Sequence, residues 1–227
     1  MESEQEETCF IPFRCPVCGW ELPFYPLNLV HLCSTCGRAW QEKGGTYHEI
    51  DYSVVKGKNN SKGQTTFLPF WTLTVSLTTA TERVSNMDEF YSYFPLPRLI
   101  DREREKERKV KFYIPAFRIK NIPALNKLST ILTHNQPESL YIEKAALLEH
   151  NMDNVFLSLT EAKEMAQILL FSFIPTNSRK AKSFVSQAQI DFLHEQLEWY
   201  PFVEENSYLK EENTGYAIHK NAINSKD

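Results

Sequence analysis

Cys15-Pro16-Val17-Cys18-Gly19-Trp20 and Cys33-Ser34-Thr35-Cys36-Gly37 set four thiols in two matched C-x2-C pairs with fourteen residues between them. Each pair is a tight turn that offers two sulfurs on one side. Four thiolates so spaced can close a tetrahedral shell around one zinc ion, each sulfur about 2.3 Å from the metal. Gly19 and Gly37 follow the pairs at positions where such a turn calls for positive φ. A shell filled by four cysteines leaves no open position for water, so the expected zinc is structural rather than catalytic. Two other chemistries use paired cysteines. A thioredoxin-like redox site needs one C-x2-C and gives the second pair no role. Structural disulfides belong to secreted chains, whereas Met1-Glu2-Ser3-Glu4-Gln5-Glu6-Glu7 is acidic and has no apolar signal-peptide core. Cys9, in Cys9-Phe10-Ile11, reads as a small buried residue in preference to a spare ligand or a reactive thiol. His31, two residues before Cys33, could donate to a sulfur or replace a ligand. With the shell already full, it reads instead as an outer neighbour of the site or a surface side chain.

No second chemistry announces itself. His31, His48, His134, His150, His194 and His219 form no H-E-x-x-H, since His194-Glu195-Gln196-Leu197-Glu198 lacks the second histidine. There is no G-x-S-x-G elbow, P-loop or dinucleotide fingerprint. Seven glycines against twelve prolines argue against a glycine-rich nucleotide loop. An enzyme with its site in the larger part of the chain is therefore the minority reading.

The elements that must hold the four sulfurs lie at about residues 11–55, after an acidic tail over 1–10. Leu22, Phe24, Tyr25, Leu27, Leu29, Val30 and Leu32 supply apolar cover between the pairs, and Pro23 and Pro26 break any helix there. Arg38-Ala39-Trp40-Gln41 is expected as a strand, turned by Gly44-Gly45 onto a partner strand over Thr46–Val55. So small a unit folds only with its metal. Residues 56–65 read as a polar linker or hairpin tip.

Residues 66–220 are expected to form an α+β domain. Trp71, Leu73, Val75 and Leu77 alternate with Thr72, Thr74 and Ser76, which predicts a half-buried strand. Aromatic-and-proline phrases recur within Thr66–Leu77, Val110–Ile119 and Leu197–Val203 and are read as strands of one antiparallel sheet. Pro123–His134 carries Leu125, Leu128, Ile131 and Leu132 at helical spacing. Ser158 or Thr160 caps a second helix with Ala162, Met165, Ala166, Leu169 and Leu170 inward, ended by Pro175. Lys182–Gln196 is a third helix or a lead-in to a strand, and residues 221–227 are frayed. The fold class is thus α+β: a four-cysteine zinc ribbon, then a larger antiparallel sheet with two or three helices.

Charge bears on partners. Residues 1–50 hold seven acids and three bases. Nucleic-acid binding draws its affinity from Lys and Arg on phosphates, so this stretch is poorly suited to it. The run Asp101–Lys109 alternates in sign and reads as a solvated loop or edge. The longest apolar run, Ile168–Phe171 with Phe173-Ile174, is far short of the roughly twenty residues a membrane-spanning helix needs. The chain is expected to be cytoplasmic.

The Cys15-Pro16-Val17-Cys18-Gly19 and Cys33-Ser34-Thr35-Cys36-Gly37 motifs resemble the zinc-ribbon superfamily, including rubredoxin-like and transcription factor IIB-like ribbons. With Phe67-Leu68-Pro69-Phe70-Trp71 following, the chain also looks like a loose set of largely uncharacterised bacterial zinc-ribbon proteins. The resemblance implies a structural Zn2+ on Cys15, Cys18, Cys33 and Cys36 and a ribbon over about a fifth of the chain. Rubredoxin itself has a much longer gap between its pairs, which speaks against an iron electron-transfer role. Ribbons serve many roles, so function is argued from the remaining residues. The first expectation is a non-enzymatic adaptor or accessory subunit that meets a protein partner, with Trp20, Phe24, Tyr25 and Trp40 as candidate contacts; each of these also reads as plain core. The alternative is a nucleic-acid-associated protein of transcription or replication, supported by the bases between Arg102 and Lys111.

Overall fold

The computed structural model describes residues 13–58, 64–95, 108–137, 140–142 and 151–223. A small sheet comes first, of β1 (His31–Leu32), β2 (Ala39–Lys43) and β3 (Thr46–Ile50) in that order. The large sheet takes β4 (Tyr52–Val54), β5 (Thr65–Thr78) and β6 (Arg83–Val84), followed by α1 (Met87–Tyr93). β7 (Val110–Pro115) precedes α2 (Ile122–Asn135), and β8 (Asn151–Met152) precedes α3 (Leu159–Ser172) and α4 (Arg179–Val185). β9 (Gln189–Glu205), β10 (Tyr208–Glu211) and β11 (Ala217–His219) complete it.

One long pairing organises the large sheet. β5 and β9 run antiparallel from Thr65↔Val203 to Thr78↔Gln189, with a bulge at Thr74/Val75. The other edge of β5 is filled by three short strands in series: β8 at Thr66–Phe67, β7 at Phe70–Val75 and β6 at Leu77–Thr78. Beyond β9 lie β4, opposite Leu197–Trp199, and β10, opposite Phe202–Glu205. The three aromatic-and-proline phrases are therefore neighbours in one sheet. It is antiparallel except where β4 and β8 join it in parallel.

Both faces of this sheet are covered. Phe67, Trp71, Leu73, Val75 and Leu77 form one core with Leu197 and Trp199, closed by Ala162, Ala166, Leu169 and Leu170 of α3. Leu68, Phe70, Tyr113, Tyr200 and Phe202 point the other way, into a second core with Leu128 and Leu132 of α2. β5 is thus buried on both sides rather than half-buried. Thr72, Thr74 and Ser76 are buried too. The Thr72 hydroxyl donates to the Gln196 carbonyl at 3.2 Å, and the Ser76 hydroxyl accepts from Arg83 Nε at 2.9 Å, which offsets their desolvation.

The helices follow their caps. Asn121 opens α2 with Pro123 in its first turn, and Gln136 closes it in the left-handed region before Pro137. Ser158 and Glu161 form a reciprocal capping box on α3. The ambiguous Lys182–Gln196 stretch divides: α4 ends at Val185 and β9 starts at Gln189. With α1, four helices stand in the described residues where two or three were expected. Thr46–Val55 divides as well, because β3 ends at Ile50 and Tyr52–Val54 crosses to the large sheet. Residues 220–222 form a turn of 3-10 helix and Ile223 bridges to Ile119, so the start of the stretch expected to fray is anchored. The acidic tail with Cys9, linker residues 59–63, the charge run over 101–107 and residues 224–227 lie outside the described residues.

Candidate metal centre

The two C-x2-C turns are built alike. Cys15 N–H donates to the Trp20 carbonyl (2.8 Å) and Gly19 N–H to the Cys15 carbonyl (2.9 Å). In the second turn Cys33 N–H donates to the Arg38 carbonyl (2.8 Å) and Gly37 N–H to the Cys33 carbonyl (2.9 Å). Gly19 and Gly37 sit at φ of 72° and 66°, the left-handed conformation this closure needs. A Cβ at Gly19 would meet nothing within 4 Å, so conformation and not space selects the glycine there.

These turns bring all four sulfurs within 4.8 Å of one another. Cys15 Sγ lies 3.6 Å from Cys36 Sγ, and Cys18 Sγ lies 3.5 Å from Cys33 Sγ. A tetrahedral shell with the usual zinc–sulfur distance has edges of about 3.8 Å, so the group has the size of a metal shell. Cys15 and Cys33 are buried, Cys36 is half-buried and Cys18 is exposed. Burial raises the Cys15 thiol, but hydrogen bonds from the Cys18 and Val17 amides and from neighbouring thiols bring it down to about 6. Cys36 is pushed up to about 12 by burial and by the surrounding sulfurs, against the Arg38 amide. One thiolate forms readily and the next resists, since a second anion would stand only 3.6 Å away. A divalent ion among them removes that repulsion. The four-cysteine group can therefore hold a metal ion.

No protein-family model matches this chain, nor does any curated protein or solved structure. The site is thus read from its own residues.

Around the sulfurs, Cys15, Leu22, Cys33 and Trp40 form a small core against Phe13, Cys36 and Tyr47. The tryptophans that follow the two turns part company. Trp40, on β2, is 6% exposed and is core. Trp20 is 58% exposed, and Phe24 and Tyr25 are exposed as well. His31 is neither on the surface nor one of the clustered ligands. It is buried on β1 between Phe13, at 4.5 Å, and Phe24, which stacks on it at 6.5 Å, and its Nδ1 bonds the Pro23 carbonyl at 3.0 Å.

A cleft of about 310 Å³ separates this group from the large sheet, lined among others by Tyr25, Asn28, Cys33, Tyr52, Asp153 and Trp199. Sequence reasoning missed what crosses beside it. The Tyr52 hydroxyl donates to the Gly37 carbonyl at 2.6 Å, and burial with the nearby Cys36 and Cys33 sulfurs pushes that phenol up to about 12. Asn28 Oδ1 accepts the Val155 N–H at 2.9 Å, and Leu29 N–H donates to the Val155 carbonyl at 2.8 Å. Asn28 and Val155 are 127 residues apart, and neither belongs to a motif that marks them as partners.

Proposed function

We propose that this protein is a non-enzymatic adaptor, or accessory subunit of a larger assembly, whose zinc-held N-terminal unit meets a protein partner. The observation that carries this reading is the exposure of Trp20, Phe24 and Tyr25 beside the four-cysteine centre. Large aromatics on a small rigid unit are typical anchors of protein interfaces, whereas a folding role alone would bury them. Zinc is the ion proposed, because four thiolates in a closed tetrahedral group suit it and leave no position for a substrate. Cys15, Cys18, Cys33 and Cys36 would hold it, and the ion would supply folding energy rather than chemistry.

Two measurements test this. Zinc is quantified in purified protein and in a Cys33→Ser/Cys36→Ser variant, with the β1–β3 unit followed by NMR. The expected result is stoichiometric zinc in the parent and loss of both metal and that unit in the variant. A variant that keeps β1–β3 without metal would overturn the structural role. The tagged protein is also recovered from its own cells with and without nuclease. A stoichiometric protein partner that survives nuclease supports the adaptor. Recovery that collapses on nuclease and weakens steeply with salt favours the nucleic-acid alternative.

A further inference from the structure

Where β6 joins β5, Thr79, Glu82, Tyr93, Lys180, Phe184 and Gln187 line a cleft of about 290 Å³. It lies roughly 25 Å along β9 from the residues that pair with β4, and so stands apart from the metal centre. Its floor is the Tyr93 ring of α1, 8% exposed and packed on Phe184 of α4 with centroids 4.3 Å apart. This ring sets two opposite charges apart. Lys180 Nζ stands over its face at 4.1 Å from the centroid, and its hydroxyl donates to Glu82 Oε2 at 2.6 Å. The bond to Glu82 pushes the phenol up to about 12, so it remains a donor to that carboxylate. Neither Lys180 nor Glu82 has an ion pair among the described residues. Both are held in place. Glu82 N–H donates to Thr79 Oγ1 at 3.0 Å, and the Glu82 carbonyl accepts the Thr79 N–H at 2.8 Å. The helix that carries Lys180 is capped by Ser178 on the Ala181 N–H, at 3.1 Å, and anchored by buried Ala181 and Phe184. The Thr81 hydroxyl, also on the cleft, takes no hydrogen-bond partner among the described residues.

We propose that this cleft binds a free α-amino acid, its carboxylate on the Lys180 ammonium and its ammonium on the Glu82 carboxylate. This goes beyond the adaptor reading and does not depend on it. Two unlike charges held apart on one cleft match a small ligand that carries both on one carbon. Inorganic phosphate would meet Lys180 but be repelled by Glu82, and a metal cation would meet the reverse. A neutral sugar would desolvate both charges and pair neither. The volume stands at the small end of ligand sites, which suits one amino acid better than a nucleotide. The contacts of Tyr93 with Lys180 and Glu82 exist before binding, so little ordering is lost when the ligand enters.

The full chain is titrated by NMR with the common L-α-amino acids and L-norvaline. The tightest binder is then compared with its deamino and decarboxy analogues, which for norvaline are pentanoate and butylamine. The amino acid is expected to give saturable shifts at the amides of Glu82, Tyr93, Lys180 and Gln187. Each analogue, having lost one charge, is expected to bind about tenfold or more weakly. Glu82→Gln and Lys180→Met are each expected to weaken the amino acid by a similar factor, with the thermal midpoint kept because both side chains are exposed. If a variant's midpoint falls, the analogue series on the parent chain still decides. Equal affinity for either analogue, for inorganic phosphate or for glucose overturns the proposal, as does binding unchanged in both variants. Saturable shifts from none of the amino acids, or shifts only at other residues, overturn it as well.

Discussion

His134 illustrates how a single buried residue sets a pH limit. It lies in the last turn of α2, packed edge-on against Phe173 at 5.1 Å and stacked with Tyr91 at 6.1 Å, and its Nδ1 is buried with no hydrogen-bond partner among the described residues. Burial lowers its pKa to about 4. Above pH 6.5 the ring is neutral in both folded and unfolded chains and contributes nothing. As pH falls toward 4, the unfolded chain takes up a proton that the folded chain refuses, and stability declines by about 3 kcal/mol. Replacing His134 with Phe is expected to flatten the stability profile across that window in urea titrations; an unchanged profile would place the loss elsewhere. The carboxylates Glu89 and Glu161, held low by hydrogen bonds to serine and backbone groups, lose their contribution only at more acid pH. Sequence could name His134 but not its surroundings, since its aromatic neighbours come from α1 and the end of α3. Trp20 and Trp40 make the same point. Both follow a cysteine turn, and only the pairing of β2 between β1 and β3 decides which is core.

At the scale of elements, local chemistry was readable and long-range pairing was not. The α3 start was legible because Ser158 and Glu161 stand at capping-box spacing, and both bonds form: Glu161 N–H to Ser158 Oγ at 3.2 Å and Ser158 N–H to Glu161 Oε2 at 2.8 Å. Ser158→Ala is expected to cost about 1 kcal/mol and to lower the thermal midpoint by roughly 2–4 °C, read by calorimetry. A null effect would mean that packing of Ala162, Ala166 and Leu169 alone fixes that end of the helix. α1 went unread although Asn86 and Glu89 stand at capping spacing, because a seven-residue helix has too few turns to display a period. The alternation in β5 was visible, but its meaning changed. In a sheet with helices on both faces the polar positions are buried as well, and the Thr72 and Ser76 hydroxyls are paired with the Gln196 carbonyl and with Arg83. The break at Asp51 was invisible for a related reason: Thr46–Val55 alternates throughout, and nothing local says that its second half pairs with β9.

Across the whole molecule, an irregular segment joins the two sheets, and its backbone bonds are specific. Asp153 N–H donates to the Phe67 carbonyl at 2.8 Å and Phe156 N–H to the Ala116 carbonyl at 2.6 Å. The indoles of Trp199 and Trp71 donate to the Asp153 and Leu157 carbonyls at 3.0 and 2.8 Å. Between these, Val155 bonds Asn28 and Leu29 of the small unit. Among the described bonds, four fasten the segment to the large sheet and to Ala116 beside it, and two fasten it to the small unit. Removing the metal with a chelator is expected to abolish hydrogen-exchange protection in β1–β3 and at Val155, because the partners of Val155 then unfold. The β5–β9 ladder keeps most of its protection, since its second core and the indole anchors lie outside the small unit, although Val30 and Ala39 of that unit join the first core. Asn28→Ala is expected to reproduce the loss at Val155 with metal still bound, at a cost of about 1–3 kcal/mol for the stranded amide. If chelation instead strips protection from Phe70–Val75 as well, the two sheets are one cooperative unit. The metal would then support the fold of the entire chain rather than the presentation of one surface.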